Sequence, residues 1–183
     1  MVKVGSTWVQ RWRVPLGFMC APLFFWLARP SARTLLAGGA LALAGLALRA
    51  WGSGHLRKND ALAASGPYAH TRNPLYLGSF VMGLGFVAAA GWWPLAILFA
   101  ALFLGIYWPV MRVEEGHLAE IFGQAYAKYA TAVPLFFPRL RPYADAPPAR
   151  FDSSLYLRYR EYQAALGVLA ALGILAAKAL LWK

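Results

Sequence analysis

Long apolar runs separated by short polar segments dominate this sequence and determine its architecture. A helix that spans a membrane needs about 20 apolar residues, because it must cross about 30 Å of hydrocarbon. The run 75–111 is long enough for two such helices, and Gly91-Trp92-Trp93-Pro94 near its middle favours a tight turn. We therefore predict five spans, at 14–28, 34–51, 75–90, 93–111 and 162–182.

Composition also indicates a membrane protein. Of the 183 residues, 60% are hydrophobic and 14% are charged, against about 45–50% and about 25% in soluble globular domains. The single cysteine, Cys20, excludes a scaffold held by intramolecular disulfides. We predict an all-α helical bundle of about five transmembrane helices that forms one membrane domain over 1–183. Its Ala-, Leu- and Arg-rich composition suggests a bacterial inner membrane.

The charged residues gather on one predicted side of the membrane. Fourteen of the 18 Lys and Arg residues lie in the segments 1–13, 49–74 and 112–161, which five spans place on the same side. Since cytoplasmic loops are enriched in Lys and Arg, this side is predicted to be cytoplasmic. All seven acidic residues and all three histidines lie there too. The net charge of +11 then reflects topology and anionic headgroups rather than a nucleic-acid partner.

The first polar segment whose side chains could bind a ligand or take part in a reaction lies between the second and third spans. Gly66-Pro67 and Asn73-Pro74 are turn signals, and the third helix is predicted to begin about Pro74. A helix start beside Arg72 favours binding of a carboxylate or phosphate, because free backbone N–H groups and a guanidinium both attract anions. The alternative is a solvated loop in which Tyr68 and Arg72 anchor at the membrane interface.

The second segment follows the fourth span. Leu118 and Phe122 lie on one helical face, and Gly123 is predicted to end that helix before Tyr126. Glu114 and Glu115 are adjacent, so they point about 100° apart on a helix and do not form a facing carboxylate pair. The alternative is an amphipathic helix that lies on the bilayer surface.

Two motifs thus stand in order on either side of the predicted hairpin. They comprise Gly66-Pro67-Tyr68, Thr71-Arg72-Asn73-Pro74, Tyr76 and Gly78, then Glu114-Glu115, Leu118, Phe122-Gly123, Tyr126, Tyr129, Val133 and Pro138. Together they resemble the isoprenylcysteine carboxyl methyltransferase family, which is related to the phospholipid N-methyltransferases. The resemblance implies a catalytic core over 62–140. In the family this part often ends the chain, whereas here a basic linker at 141–161 and an additional C-terminal transmembrane helix at 162–182 are predicted to follow. Leu135 departs from the family, which often has Arg before the aromatic pair.

The resemblance implies an enzyme that uses S-adenosylmethionine as its cofactor. In that family the cofactor is enclosed in a pocket at the cytosolic face, and a lipophilic acceptor reaches it from the bilayer. The residues expected to bind the cofactor are Tyr68, His70, Arg72, Asn73, Pro74, Tyr76, Glu114, Glu115, Leu118 and Tyr126. Arg72 and Glu115 are the expected catalytic residues.

Two acceptor chemistries fit these residues. A carboxylate is already ionised at pH 7, so it needs orientation and a cation such as Arg72 but no base. An ethanolamine amine is mostly protonated and must lose a proton, which Glu115 or Glu114 could accept. The sequence leaves O-methylation and N-methylation open. No metal is predicted, because the histidines lack the spacing of a zinc site.

The expected partners are a lipid-soluble small molecule or a prenylated acceptor, together with membrane lipids. The runner-up from another class is a non-catalytic membrane protein that binds anionic lipid or a partner domain through its basic face. An ion-coupled transporter is less consistent with the sequence, because the spans carry almost no ionisable groups.

Overall fold

The computed structural model describes residues 19–57, 60–146 and 148–181, and within them it is all-α, as predicted. Helix α1 occupies 19–27 of the described residues. The remaining α-helices are α2 (Ala32–Ser53), α3 (Pro74–Ala90), α4 (Pro94–Ala132), α5 (Ser153–Arg158) and α6 (Tyr162–Leu181). A 3-10 turn, Gly66–Ala69, lies in the polar segment before α3. Residues 1–18, which include the first basic segment and the start of the first predicted span, lie outside the described residues, as does residue 182.

Three of the described helices, α2, α4 and α6, are long and apolar enough to cross a membrane. Helix α3 is apolar but has 17 residues, which corresponds to about 26 Å, somewhat less than the usual hydrocarbon thickness. The structure therefore supports an integral membrane protein with three candidate spans. The third predicted span, at 75–90, and the first, at 14–28, stay predictions.

The predicted hairpin between the third and fourth spans is confirmed. Helix α3 ends at Ala90, and Gly91 follows in the left-handed conformation with φ 66° and ψ 18°. Helix α4 begins at Pro94, where a missing N–H costs nothing because the first turn has no intrahelical partner for it.

Helix α4 extends much further than the fourth predicted span, 93–111. It continues through Glu114 and Glu115 and is interrupted at Gly123, where φ is 48° and ψ is −122°. The interruption matches the predicted helix end, since glycine adopts positive φ without the clash that a Cβ would cause. With 39 residues the element would be about 58 Å long if it were straight, so its second part carries the acidic residues beyond a membrane core.

Helices α2 and α3 form the closest helix pair. Gly38 and Gly45 of α2 face Gly85 and Gly78 of α3, and a Cβ built on Gly38 would lie closer than 3.0 Å to the backbone of Ala89. Small residues at such a seam allow two helix backbones to approach directly, as is common between membrane helices. This packing holds the start of α3, and the polar segment before it, against the end of α2.

The loops divide between the two ends of the bundle in the way the charge pattern predicts. At one end the Arg29 amide donates to the Ala90 carbonyl (2.6 Å), and Lys178 Nζ donates to the Phe25 carbonyl (2.7 Å). At the other end Arg49, near the end of α2, pairs with Glu161, so the end of α2 and the segment before α6 lie together. The assignment of this second end to the cytoplasm stays a prediction.

The break at Gly123 gives a test of the backbone geometry. We expect Gly123→Ala to lower the free energy of unfolding by about 1–3 kcal/mol, because alanine rarely adopts this positive φ. Crowding does not contribute, since nothing lies within 4 Å of the added Cβ. Gly116→Ala is the control: its site is equally open but helical, so alanine should be neutral or stabilising by up to about 1 kcal/mol. Equal thermal unfolding of the two variants in detergent micelles would contradict the strained break.

Candidate functional site

The two motif segments meet at one end of the bundle, and Arg72 lies at their contact. Its Nη1 atom donates to Glu115 Oε1 in an ion pair and to the Tyr126 hydroxyl at 3.2 Å. The side chains of Arg72 and Glu115 are only 11% and 23% exposed. A charge-assisted hydrogen bond with so little solvent is stronger than a surface ion pair. Residues that are 43 and 54 positions apart along the chain therefore form one polar cluster.

Arg72 is held in place by its backbone as well as by its side chain. The Arg72 amide donates to the Pro134 carbonyl at 3.0 Å, and the Thr71 hydroxyl donates to the Phe136 carbonyl at 2.8 Å. The Asn73 side-chain amide donates to the Leu135 carbonyl at 3.0 Å. These bonds attach the segment before α3 to the segment that follows α4.

The same pairing continues on the N-terminal side of Arg72. The Arg139 amide donates to the His70 carbonyl (2.9 Å), and His70 Nδ1 lies 2.8 Å from the Arg139 carbonyl. The Tyr129 hydroxyl donates to the Tyr68 carbonyl at 2.7 Å. Since these atoms satisfy buried polar backbone groups, His70 and Tyr68 contribute to the shape of the site through the loop that they hold.

The two adjacent glutamates have different partners, as their helical spacing predicts. Glu115 accepts from Arg72 and, through its other oxygen, from Arg112 Nη1 at 2.7 Å. Glu114 accepts a hydrogen bond from the Tyr76 hydroxyl at 3.1 Å. The pair therefore forms two separate contacts with the α3 side of the site.

Aromatic rings extend from Tyr76 between α3 and α4. The Tyr76 ring lies 5.6 Å from Tyr107, edge to face, and Tyr107 stacks on Phe103 at 4.9 Å. Phe80 and Phe136 pack against Phe103 at 4.8 and 5.6 Å. The polar cluster thus adjoins an apolar, aromatic layer between α3 and the candidate span in α4.

Burial and hydrogen bonding oppose each other at Arg72. Burial lowers the pKa of the Arg72 guanidinium, but the hydrogen bonds to Tyr126 and Glu115 raise it by more, so it lies above its ordinary value and Arg72 stays cationic. At Tyr68, burial in the first place and then the Glu114 carboxylate raise the pKa of the phenol. Tyr68 is therefore neutral at physiological pH.

Two buried nitrogen atoms near this end of α4 and α3 have no hydrogen-bond partner within the described residues. They are Arg72 Nε and His117 Nδ1. A buried polar atom without a partner is costly, and one explanation is a ligand that supplies the missing bond. From the sequence, His117 is expected on a solvated helix face, because a lone histidine carries no motif signal.

The structure brings together Arg72, Glu115 and Tyr126, and it places Tyr76 and Glu114 beside each other. Leu118 packs against the cluster of Tyr126 and Tyr129, and Pro74 begins α3. His70 and Asn73 instead bind carbonyl groups of the 134–139 segment. No motif identified these carbonyls beforehand, because backbone acceptors carry no residue signature.

An open cavity of about 480 Å³ lies between α1 and α6, lined by residues that include Phe25, Trp26 and Lys178. It contains none of the residues expected to bind the cofactor. Among those residues, Arg72 instead contacts Glu115 and Tyr126, and Tyr76 contacts Glu114. Among the described residues, no group of three or more His, Cys, Asp or Glu side chains is arranged to hold a metal ion.

Comparison with known proteins agrees with the motif pattern. The family model described as phospholipid methyltransferase matches residues 35–125, which include Arg72 and both glutamates. Protein-S-isoprenylcysteine O-methyltransferase of Schizosaccharomyces pombe is 31% identical over 81 residues, 44% of this chain and 34% of that protein. The chain belongs to the phospholipid and isoprenylcysteine methyltransferase family. This family includes enzymes that use S-adenosylmethionine to methylate lipophilic acceptors.

Two further proteins that are similar to this chain are named for metal resistance. The cobalt-zinc-cadmium resistance protein CzcN of Cupriavidus metallidurans is 36% identical over 142 residues, 72% of this chain and 64% of that protein. The nickel-cobalt-cadmium resistance protein NccN of Alcaligenes xylosoxydans xylosoxydans is 38% identical over 84 residues, 46% of this chain and 39% of that protein. The chain thus spans about one third to two thirds of the length of these curated relatives. No solved structure matches it.

Proposed function

We propose that this chain is an S-adenosylmethionine-dependent methyltransferase that acts on a lipophilic acceptor at the membrane, resembling the isoprenylcysteine carboxyl O-methyltransferases. The observation that carries the proposal is the largely buried cluster of Arg72, Glu115 and Tyr126. It joins the two family motifs across the α3–α4 hairpin, and it adjoins an aromatic layer suited to an apolar acceptor.

The residues present fit the proposed cofactor. The amino-acid part of S-adenosylmethionine carries a carboxylate and an ammonium group. Arg72 has a buried Nε donor that needs an acceptor, and Glu114 and Glu115 are the complementary carboxylates for an ammonium group. The remaining residues proposed to line this cofactor pocket are Tyr68, His70, Asn73, Pro74, Tyr76, Leu118 and Tyr126.

When bound, S-adenosylmethionine supplies a methyl group on a positively charged sulfur. The chain's own task is then to align an acceptor and to exclude water, since well-placed reactants need no strong acid or base for a displacement. Arg72 orients an anionic acceptor or the cofactor's carboxylate, and Glu115 positions Arg72. The loop bonds of residues 70–73 to 134–139 keep this arrangement rigid.

We propose a carboxylate as the acceptor group, because Arg72 supplies the buried cation that an anion requires. The alternative is N-methylation of a phospholipid amine, which needs a carboxylate as a base. Glu115 is bonded to two arginines, whereas Glu114 is bonded only to a tyrosine hydroxyl among the contacts described above. Glu114 is then the better placed of the two to accept a proton from an amine.

We also propose five membrane spans, with the site at the cytoplasmic face of a bacterial inner membrane. Two observations support this topology. Within the described part of the chain, the site lies at the bundle end that carries the basic residues of 49–74 and 112–161, and cytoplasmic loops are enriched in Lys and Arg. Helix α3 would complete a span together with its flanking residues Asn73 and Gly91.

Transfer of a labelled methyl group tests the proposal. Membranes that contain the protein are incubated with methyl-labelled S-adenosylmethionine, and the lipid-soluble fraction is extracted and treated with alkali. Release of the label as volatile methanol is expected, because alkali hydrolyses a methyl ester. Label that resists alkali would indicate an N-methyl amine, and the absence of label from the extract would contradict a lipophilic acceptor.

The pH profile of Glu114→Gln separates the two acceptors. For the proposed carboxylate we expect the variant and the wild type to have profiles of the same shape between about pH 6 and pH 8, because no proton leaves the acceptor. If Glu114 were the base for an amine, the variant's rate would rise about tenfold per pH unit as more amine becomes deprotonated. The measurement is the initial rate of label transfer at each pH.

A second function, in metal tolerance, is suggested by the names of CzcN and NccN. We propose that it would act through the same methyl transfer. Growth of cells in cobalt, zinc or cadmium should then depend on Arg72 as strongly as on the whole gene. Tolerance that survives Arg72→Ala, but not deletion of the gene, would favour the non-catalytic alternative, in which the basic face binds a lipid or a partner.

A further inference from the structure

A second buried ion pair lies outside the proposed cofactor site and joins α2 to the start of α6. Arg49 donates from Nε and Nη2 to the two carboxylate oxygens of Glu161, at 3.1 and 2.7 Å. Glu161 immediately precedes α6 and is 8% exposed. Two parallel bonds of this kind give a strong and directional contact. Apolar side chains of similar volume often stabilise a fold equally well, so the pair requires a reason beyond stability.

The third guanidinium nitrogen of Arg49 contacts the first turns of α3. This Nη1 atom donates to Ser79 Oγ at 2.5 Å and to the Leu75 carbonyl at 3.3 Å. The N-cap residue of α3, Asn73, forms no side-chain capping hydrogen bond, and its side chain binds the Leu135 carbonyl instead. Arg49 does not replace the cap, because a guanidinium donates hydrogen bonds and cannot satisfy the free N–H groups of a helix start. Its bonds to Leu75 and Ser79 tie the first turns of α3 to α2.

Arg72 lies directly before this uncapped start. Only Asn73 and Pro74 separate it from Leu75, so the orientation of the first turn of α3 determines where the Arg72 side chain begins. A displacement of about 1 Å at a site that aligns reactants is enough to reduce a rate by about 100-fold. The contact between Arg49 and α3 thus bears on the geometry of the Arg72–Glu115 pair.

We propose that Glu161 is a positioning residue for the methyltransferase site: it orients Arg49, Arg49 fixes the start of α3, and α3 presents Arg72 to Glu115. This inference rests on the proposed function. It gives the additional C-terminal helix a role, because Glu161 immediately precedes α6 and binds Arg49. Loss of the Glu161 carboxylate frees the Arg49 guanidinium to turn toward water and to leave Leu75 and Ser79.

The test compares two variants that each lose one carboxylate. Glu161→Gln keeps the size of the side chain and removes its charge. Asp145→Asn is the matched control, because Asp145 also forms an ion pair, with Lys128 at 2.7 Å, but is 56% exposed. The dissociation constant for S-adenosylhomocysteine is measured by calorimetry in detergent micelles, below the melting temperature of each variant. We expect it to rise about tenfold in Glu161→Gln and to be unchanged in Asp145→Asn.

The outcomes separate positioning from stability. A lower melting temperature of Glu161→Gln with wild-type affinity would overturn the proposal, because the pair would then only hold helices together. If Glu161→Gln does not fold, Glu161→Asp is measured instead, since its shorter side chain keeps the charge but not the two-bond geometry. Weaker binding of S-adenosylhomocysteine by Glu161→Asp supports positioning, and unchanged binding overturns it. A wild type that binds no S-adenosylhomocysteine would contradict the proposed function and this inference together, whereas a normal wild type with an unaffected variant contradicts only the inference.

Discussion

Replacement of Arg72 by alanine is expected to reduce the rate of methyl transfer by about 100-fold or more, which corresponds to about 2.7 kcal/mol in the activation free energy. The substitution removes the buried cation that would orient an anion. It also leaves the Glu115 carboxylate, which is 23% exposed, without its main partner on the α3 side. Removal of one member of a largely buried ion pair is costly because the other charge stays poorly solvated. The measurement is the initial rate of label transfer into the lipid extract.

Arg112→Ala is the matched control for this prediction. Arg112 binds the same glutamate, through Oε2 at 2.7 Å, but its side chain is 60% exposed. An exposed ion pair contributes about 0–1 kcal/mol, so the rate should fall at most about fivefold. Arg72→Lys should be intermediate, since lysine keeps the charge but lacks the planar fork of arginine. Equal losses in Arg72→Ala and Arg112→Ala would mean that Glu115, not the buried guanidinium, is the important group.

Gly38→Ala is expected to lower the free energy of unfolding by about 3 kcal/mol. A Cβ at this position would lie closer than 3.0 Å to backbone atoms of Gly85 and Ala89 in α3. Backbone atoms cannot rotate away as a side chain can, so α2 and α3 must move apart. The movement would also disturb the start of α3, and with it Arg72. Thermal unfolding in detergent micelles, followed by circular dichroism, measures the effect.

Gly39→Ala gives the control for this contact. The nearest atom to its added Cβ is Leu172 Cδ1 at 3.8 Å, an ordinary van der Waals distance. Alanine is favoured over glycine in a helix by about 1 kcal/mol at both positions, so the difference between the two variants isolates the contact with α3. Similar melting temperatures for Gly38→Ala and Gly39→Ala would contradict the close packing of these helices.

Local sequence signals predicted the helix boundaries that glycine and proline determine. The turn before Pro94 and the break at Gly123 were expected, because these residues act on the backbone where they stand. The end of the fourth span was expected near 111, but α4 continues to the break. Charged residues do not end a helix, and the sequence contains no helix-breaking signal between 111 and 123 apart from Gly116, which a helix tolerates.

Contacts between distant residues were less accessible from the sequence. The resemblance placed Arg72 and Glu115 in one site, but only the structure shows that Glu115 binds Arg72 while Glu114 binds Tyr76. Arg49 and Glu161 are 112 positions apart. In the sequence, neither residue can be distinguished from the other charged residues of its segment. Their pairing depends on how α6 packs against α2 and α3, which no local pattern encodes.

Binding of S-adenosylhomocysteine to the purified wild-type protein tests the central claim most directly. Calorimetry in detergent micelles measures binding without any knowledge of the acceptor. We expect one site per chain with a dissociation constant in the micromolar range, typical of enzymes and their small ligands, and competition by S-adenosylmethionine but not by ATP. No binding at concentrations up to about 1 mM, by a protein that melts cooperatively, would contradict a methyltransferase site in this chain.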